Sequence, residues 1–277
     1  MNPDFSSASA PTSASLRQAY AACPLCESTD IARLRSDACH THPLWHPELG
    51  ETLDWMHCQG CEHVFSRHYW GPRGFELLFS RANEGQVAGG DLDRLRHTWA
   101  PVVERVGRQL ASAPWLSDLV WLDVGCGNGG LVMTADEYGF IAMGLDVREQ
   151  AVQRLQALGY RAAQGDLDRL EVSDPVAVLS MADVLEHMPY PRQALRRARA
   201  ALAQDGLLYL SCPNLDAASW RAMTAQGHNP YWAELEHFHN FSRATLMRLL
   251  VEEGFMPVDY TVSPRYKSCM EVLARRV

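Results

Sequence analysis

Two pairs of cysteines near the start of the chain have the spacing of a metal site. Cys23 and Cys26 form one C-x-x-C pair, and Cys58 and Cys61 form another. Thiolates three positions apart on a tight turn bind one ion from the same side, and two such turns complete a tetrahedral zinc site. We therefore expect these four cysteines to hold one Zn²⁺ ion.

The long gap between the two pairs leaves other ligand sets open. Residues 27–57 exceed the roughly 15–20 residues of the commonest zinc pattern, so they must form an inserted hairpin or loop. Cys39 or His40 in this segment could replace one thiolate, or some of the cysteines could be buried free thiols. A thioredoxin-like redox site is disfavoured because it needs only one pair, at a strand-to-helix junction.

A glycine-rich turn has the residue types that bind nucleotide-like ligands. Asp123 lies in an apolar run that ends at Gly125, Gly127 and Gly130, where a helical pattern begins. Glycines let the backbone approach a ligand, and a helix N-terminus offers unpaired amides and a positive dipole end. The string fits both the G-x-G-x-x-G turn of dinucleotide dehydrogenases and the first motif of S-adenosylmethionine (SAM) methyltransferases.

Acidic residues after the next predicted strands distinguish these two possibilities. Asp146 ends the second strand, where a carboxylate can accept both ribose hydroxyls of either ligand. Asp166 follows the third strand, where an acid can accept the adenine amino group. Asp183 follows the fourth strand, in the string Asp183-Val-Leu-Glu186-His187. The alternative for Asp146 and Asp166 is that they cap the helices that follow them.

These motifs, in this order, resemble those of the class I, Rossmann-like SAM-dependent methyltransferases over residues 100–277. The resemblance is to a subgroup with a D-V-L-E-H-like string after the fourth strand and a C-P-N-like tripeptide, here Cys212-Pro213-Asn214, after the fifth. It implies SAM as the cofactor and S-adenosylhomocysteine as its product.

The resemblance also assigns the amino-acid end of SAM to particular residues. Gly125 and Gly127 would bring the turn against this end of the cofactor. Asp123 would organise the turn or meet the ammonium group. Asp183 would orient the ammonium group or a nearby histidine.

The adenosine end of SAM would be bound by residues after the second and third strands. By the same resemblance, Asp146 would hold the ribose and Val147 would pack on the adenine ring. Asp166 and Leu167 would contact the adenine edge.

Candidate catalytic residues are His187, Glu236 and His237. The sulfonium methyl of SAM is already activated, so catalysis requires alignment of the acceptor and, for a hydroxyl or acidic carbon, removal of a proton. Histidine accepts a proton near neutrality, and an adjacent carboxylate raises its basicity. His239 is a further candidate. As alternatives, His187 would only shape the pocket, and the string around His237 would introduce the next helix, with Ser242 as its N-cap.

The elements that must position these residues follow an alternating pattern. From residue 119, short apolar runs alternate with helical patterns, which predicts a parallel sheet covered on both faces. Right-handed crossovers then give a doubly wound, mostly parallel, seven-stranded α/β sheet. The predicted strands cover residues 119–124, 141–146, 160–163, 176–181, 206–212, 256–262 and 268–274.

The sequence divides into four predicted regions. They are a disordered leader (1–18), a zinc ribbon (19–70), a linker with an amphipathic helix (71–112), and a methyltransferase domain (113–277). An aromatic and histidine-rich insertion at 213–241 is predicted to face the acceptor. The ribbon resembles those of several bacterial subfamilies, including sugar C-methyltransferases, whose further C-terminal domain has no counterpart in this sequence.

Composition limits the compartment and the partners. The 277 residues are 47% hydrophobic, with a net charge of −8 and no run near the ~20 apolar residues of a membrane helix. The start of the chain lacks a secretory signal, so the cysteines are expected as thiols or metal ligands in the cytoplasm. Lys267 is the only lysine and neither half of the chain is basic, which disfavours nucleic acid as a partner.

The sequence therefore predicts a cytoplasmic SAM-dependent methyltransferase that acts on a small-molecule or saccharide-type acceptor. The alternatives are a methyltransferase acting on protein or RNA and a non-catalytic, SAM-binding regulatory protein.

Overall fold

The structure is a computed structural model that describes residues 16–79, 89–111, 119–167, 170 and 175–277. Most of the predicted leader, residues 1–15, lies outside this range. Within it, an N-terminal unit of short antiparallel strands precedes a large sheet with helices on both faces.

The N-terminal unit carries both C-x-x-C pairs. Its elements are β1 (Arg17–Ala19), β2 (Ile31–Ala38), β3 (Thr52–Cys58), β4 (Val64–Ser66), β5 (His68–Trp70) and α1 (Pro72–Phe79). Strand β3 pairs antiparallel with β2 and with β4. The β2–β3 pair is the hairpin expected within residues 27–57.

The predicted leader does not extend to residue 18. Strand β1 pairs antiparallel with β5, and Leu16 before it is 2% exposed. Leu16 packs in an apolar cluster with Leu49, Trp70 and Leu78. The isolated leucine in a Ser/Ala/Pro-rich stretch gives no periodic signal, so its burial depends on partners far along the chain.

Helices and strands alternate from residue 92 onward. They are α2 (Leu92–Leu110), β6 (Val120–Val124), α3 (Gly130–Glu137), β7 (Ile141–Asp146), α4 (Glu149–Ala157), β8 (Arg161–Gln164), β9 (Val176–Ala182), α5 (Pro191–Ala201), β10 (Leu202–Pro213), α6 (Ala218–Ala225), β11 (His239–Asn240), α7 (Arg243–Glu252), β12 (Phe255–Val262) and β13 (Cys269–Arg276). No helix in the described ranges is long and apolar enough to cross a membrane.

The large sheet has the strand order β12-β13-β10-β9-β6-β7-β8. Strands β6 to β10 pair in parallel, and β13 runs antiparallel to both of its neighbours. The predicted doubly wound, mostly parallel seven-stranded sheet is confirmed. Strands β7 and β8 are added on one side of β6, and β9 and β10 on the other, so the strand order reverses between β6 and β9. The carboxyl ends of these central strands form the edge where open α/β sheets bind ligands.

The apolar runs are continuous because both sheet faces are buried. Successive strand residues point to opposite faces, so Trp121 packs with α2 and α3 while Leu122 packs with α5 and α7. The indole of Trp121 donates to Ser180 Oγ at 2.9 Å. The central strands are therefore fixed by packing on both sides.

The insertion after β10 joins the two units. It contains α6, a short 3₁₀ helix at Pro230–Trp232, and β11. Strand β11 pairs antiparallel with β4 and extends the N-terminal sheet to four strands. Trp220 and Trp232 are buried against Trp55 and Val64 of that sheet. The insertion is therefore an ordered seam between the units.

Candidate active site

The turn between β6 and α3 requires glycine. Gly125 has φ +71°, a left-handed conformation that favours glycine, and a Cβ there would lie 2.6 Å from Val184 Cγ2. Its amide donates to the Leu145 carbonyl at 2.7 Å, which holds the turn against the end of β7. The backbone therefore lies open to a ligand at the carboxyl ends of β6 and β7.

Asp146 is the centre of a dense hydrogen-bond group at the end of β7. Its carboxylate accepts from the Gly127 amide at 2.9 Å and from the Arg148 amide at 2.9 Å. It also accepts from Nε and Nη2 of Arg148, both at 3.0 Å. Helix α4 has Arg148 at its N-cap, so Asp146 shapes the turn before the helix while remaining at the predicted ribose position.

Two cavities meet at this edge of the sheet. The first, of about 360 Å³, is lined by the predicted adenosine-end residues Asp146, Val147, Asp166 and Leu167. The second, of about 910 Å³, is lined by Asp123, Gly127, Glu186, Glu234 and His237, among others. The residues that line both are Gly125, Arg148, Asp183, His187 and Glu236.

The first cavity also has aromatic walls that the sequence analysis did not single out. Phe75 and Phe79 of α1 line it, stacked on each other with ring centroids 4.2 Å apart. Tyr190, after β9, lines it as well. The i, i+4 spacing of the two phenylalanines was the available signal, but it fell in a segment interpreted as a linker.

Two of the predicted acidic residues are held by side chains of neighbouring strands. Asp123 is buried, accepts from Ser180 Oγ at 2.6 Å, and has its pKa raised to about 7 by burial. Asp183 accepts from Ser211 Oγ at 2.8 Å and lies 3.4 Å from Nη1 of Arg265. Ser211 and Arg265 therefore fix Asp183 in a way that its motif did not reveal.

The structure brings His187, Glu236 and His237 together. His187 Nδ1 donates to the Glu236 carbonyl at 2.8 Å, so Nε2 is left as a proton acceptor. The rings of His187 and His237 are edge to face, with centroids 4.8 Å apart. His237 Nδ1 is buried and has no hydrogen-bond partner among the described residues.

Burial sets the protonation of this group. It lowers the pKa of His187, and it lowers the pKa of His237 to about 3, so both rings are neutral at pH 7. Burial, followed by the Glu234 carboxylate, raises the pKa of Glu236 to about 7. The pKa of Glu234 lies at about 2, since His42 and the nearby imidazoles outweigh the effect of burial.

The other histidines of the insertion are placed elsewhere. His239 Nδ1 accepts from His63 Nε2 at 3.1 Å, and its Nε2 donates to the Met188 carbonyl at 2.9 Å. Both of its nitrogens are therefore occupied in the seam between the units. His228 is exposed, and these two do not form a ligand cluster with His237 in the described part of the chain.

The four predicted metal ligands form one cluster. The Sγ atoms of Cys23, Cys26, Cys58 and Cys61 all lie within 4.8 Å of one another. Two of these Sγ–Sγ distances are 3.5 and 3.6 Å. A set of four converging thiols fits the donor chemistry of a structural zinc site.

The alternative ligands from the β2–β3 loop lie outside this cluster. Cys39 is buried, with Sγ 3.6 Å from the Gly50 carbonyl, and His40 is exposed. A replacement ligand from this loop therefore finds no support in the arrangement of the thiols.

Known proteins resemble this chain in sequence. The methyltransferase domain family matches residues 92–260, well over half of the chain. A ubiquinone biosynthesis O-methyltransferase of Idiomarina loihiensis is 32% identical over 109 residues, 36% of this chain and 44% of that protein. The corresponding Pseudomonas paraeruginosa protein is 30% identical over 132 residues, 45% of this chain and 53% of that protein. The matched part thus spans about half the length of these relatives.

Solved structures share the fold at low sequence identity. One is the 1,6-didemethyltoxoflavin-N1-methyltransferase of Burkholderia thailandensis with its substrate and S-adenosylhomocysteine bound. It has a TM-score of 0.56 and 19% identity, and covers 80% of this chain and 98% of that one. Another is the magnesium protoporphyrin IX methyltransferase of Synechocystis, with a TM-score of 0.51 and 20% identity. It covers 66% of this chain and 85% of that one. By its sequence and its fold, the chain belongs to the methyltransferase domain family, in the class I, Rossmann-like group.

Proposed function

We propose that this protein transfers a methyl group from SAM to a small-molecule or saccharide-type acceptor. The observation that supports this proposal most is that the two cavities meet. Gly125 of the glycine turn and the candidate proton acceptors His187 and Glu236 line both of them. The names of the matched relatives, which include O-methyltransferases of ubiquinone biosynthesis, support a small-molecule acceptor.

The residues at the glycine turn fit SAM. Gly125 lines both cavities, and Gly127 and Asp146 lie beside it. Val147 and Leu167 offer apolar surface for adenine in the first cavity. When bound, SAM supplies an activated methyl group on its sulfonium. The protein's own tasks are then to align the acceptor and to take up a proton from it.

Proton uptake is assigned to His187, Glu236 and His237. The two imidazoles are neutral and can accept a proton, and the Glu236 carboxyl has a pKa close to the working pH. For a hydroxyl acceptor in the second cavity, we assign His237 as the group that contacts the hydroxyl, and the Glu236 carboxylate beside it, whose pKa is much higher, as the base that keeps the proton.

The ribbon is proposed to hold one Zn²⁺ through Cys23, Cys26, Cys58 and Cys61. Its role is structural, because metal binding contributes folding free energy to a unit too small to bury a large core of its own. The domain boundaries and the cytoplasmic location stay predictions.

The first experiment measures transfer of labelled methyl from SAM by the purified, zinc-loaded protein into a fractionated extract of the source cell. We expect label in the small-molecule or glycan pool, with turnover rising through pH 7 as Glu236 ionises. His237→Ala should lower turnover about 100-fold or more and leave S-adenosylhomocysteine affinity unchanged. His228→Ala, an exposed histidine of the same insertion, is the matched control.

Other outcomes identify the alternatives. Label in protein or RNA alone contradicts the small-molecule acceptor. Label in no pool, with S-adenosylhomocysteine binding demonstrated by calorimetry, favours a non-catalytic binding protein. Unchanged turnover in His237→Ala removes this residue from proton transfer.

A further inference from the structure

The segment 232–240, which carries Glu236 and His237, is held at several points by the N-terminal unit. The indole of Trp55 donates to the Trp232 carbonyl at 2.8 Å, and the indole of Trp70 donates to the Leu235 carbonyl at 2.7 Å. Strand β11, at the end of the segment, pairs with β4. The backbone on both sides of residue 234 is therefore anchored to the ribbon side of the molecule.

A side chain of the ribbon also contacts a residue that lines the second cavity. His42 Nε2 lies 2.6 Å from Glu234 Oε1, and Glu234 lines the cavity. His42 Nδ1 accepts from the Leu44 amide at 3.2 Å, so Nε2 carries the hydrogen and donates to the carboxylate. The side chains of His42 and Glu234 are 12% and 24% exposed, which shields this hydrogen bond from water.

The position of Glu234 matters because of its neighbours. His42, Glu234 and Glu236 place a ligand atom each within 4.8 Å of the others. The Glu234 carboxylate lies close enough to raise the pKa of Glu236 and to interact with the His237 ring. An ionised Glu234 held at this place therefore disfavours a second negative charge on Glu236.

We propose that the ribbon supports one wall of the methyl-acceptor site, the segment 232–240, and that His42 is a positioning residue, which holds the Glu234 carboxylate beside Glu236 and His237. The expected effect of His42 on turnover rests on the proposed function. It gives the ribbon a part in the reaction, in addition to its structural role. His42 lines neither cavity and contacts Glu234, which lines the second cavity and not the first, so we expect its effect mainly on the acceptor side.

The test compares His42→Ala, His42→Gln and His40→Ala in the full-length, zinc-loaded protein with S-adenosylhomocysteine bound. Titration of the Glu236 carboxyl is followed by NMR of ¹³C-labelled glutamate. The Glu236 signal is assigned by its absence in Glu236→Gln. In His42→Ala, the Glu234 carboxylate is no longer held beside Glu236. Its raising effect on the Glu236 pKa is larger than the lowering effect of His42 itself, so we expect Glu236 to titrate at lower pH. His42→Gln keeps an N–H donor and should restore the wild-type titration, and exposed His40→Ala should match wild type.

Turnover is the second measurement. In the labelled-methyl assay, His42→Ala should lower turnover about tenfold, the scale of a lost hydrogen bond to a charged group, and should move the acid limb of the pH profile to lower pH. S-adenosylhomocysteine affinity should stay within about twofold of wild type. His42→Gln should recover most of the loss.

The outcomes separate this proposal from the proposed function. Absence of methyl transfer in every pool contradicts the function, while the Glu236 titration still decides the role of His42. An unchanged Glu236 titration in His42→Ala overturns the proposal. Equal behaviour of His42→Ala and His42→Gln also overturns it, because the hydrogen bond would then not place Glu234.

Discussion

At the scale of single residues, the sequence predicted where the site residues lie in the fold, but it did not predict their hydrogen-bond partners. Asp146 lies at the end of its strand, as expected, because the carboxyl end of a parallel strand is fixed by the fold. The engagement of its carboxylate by Arg148 depends on a side-chain rotamer that no motif encodes. Likewise, the approach of His42 to Glu234 joins residues 192 positions apart, so local sequence carried no signal for it.

The Asp146–Arg148 pair leads to two opposite predictions. Asp146→Ala should weaken S-adenosylhomocysteine binding by roughly 1–3 kcal/mol, because a charged acceptor is lost. Arg148→Ala should tighten it by about 1 kcal/mol, since the guanidinium no longer competes with the ribose hydroxyls for the carboxylate. Isothermal titration calorimetry measures both. Weaker binding in Arg148→Ala would show instead that the guanidinium contributes to the cofactor site.

At the scale of elements, the seven strands of the large sheet lie close to their predicted bounds. Their apolar runs are buried on both sheet faces, so the periodic signal is strong. The main difference is β10, which begins at Leu202 and not near residue 206, with an irregular register against β9 between Leu202 and Leu207. The N-cap role expected for Ser242 is confirmed, since its Oγ accepts from the Thr245 amide at 3.0 Å.

Helix α1 was not predicted from the sequence. It is only eight residues long, begins at Pro72 and includes Gly74, so its helical signal is weak. It is stabilised by packing: Leu78 is buried in the cluster that also contains Trp70 and Leu16. Tertiary contacts thus place Phe75 and Phe79 at the first cavity.

Phe79→Ala tests the contribution of α1 to cofactor binding. Removal of the ring takes away one wall of the first cavity, and we expect a Kd for S-adenosylhomocysteine about fivefold higher, equivalent to roughly 1 kcal/mol. Arg73→Ala, an exposed change on the same helix, is the control and should bind as wild type. If the two variants bind S-adenosylhomocysteine equally well, helix α1 only stabilises the fold and has no part in the cofactor site.

At the scale of the whole molecule, the predicted division into ribbon and methyltransferase domain needs a qualification. The two units share a four-stranded sheet, because β11 of the insertion pairs with β4. A two-residue strand has no detectable periodicity, so this connection could not be predicted from the sequence. The cysteine spacing, in contrast, identified the thiol cluster correctly, since a metal site constrains residue type as well as distance.

Cys58→Ser tests the metal site and its effect on methyl transfer. We expect about one zinc per chain in the wild type and a value near zero in the variant, measured by plasma mass spectrometry. Cys39→Ser, a buried cysteine outside the cluster, should retain the metal. Because segment 232–240 is anchored to the ribbon, Cys58→Ser should also reduce methyl transfer more than it reduces S-adenosylhomocysteine binding. Full metal content in Cys58→Ser would refute the four-cysteine site.

The shared sheet has a consequence for biosynthesis. His63 and His239, which are hydrogen-bonded across it, are 176 residues apart. At about 5–20 residues per second, the ribosome needs roughly 10–35 seconds to supply the second after the first. During that interval β4 is an open edge strand, with Phe65 still uncovered by its eventual partner, and such edges are prone to mispairing. On the proposal that the thiols bind zinc, metal capture would fold the nascent ribbon before its last strand arrives, and we expect the yield of folded protein to depend on zinc supply during translation.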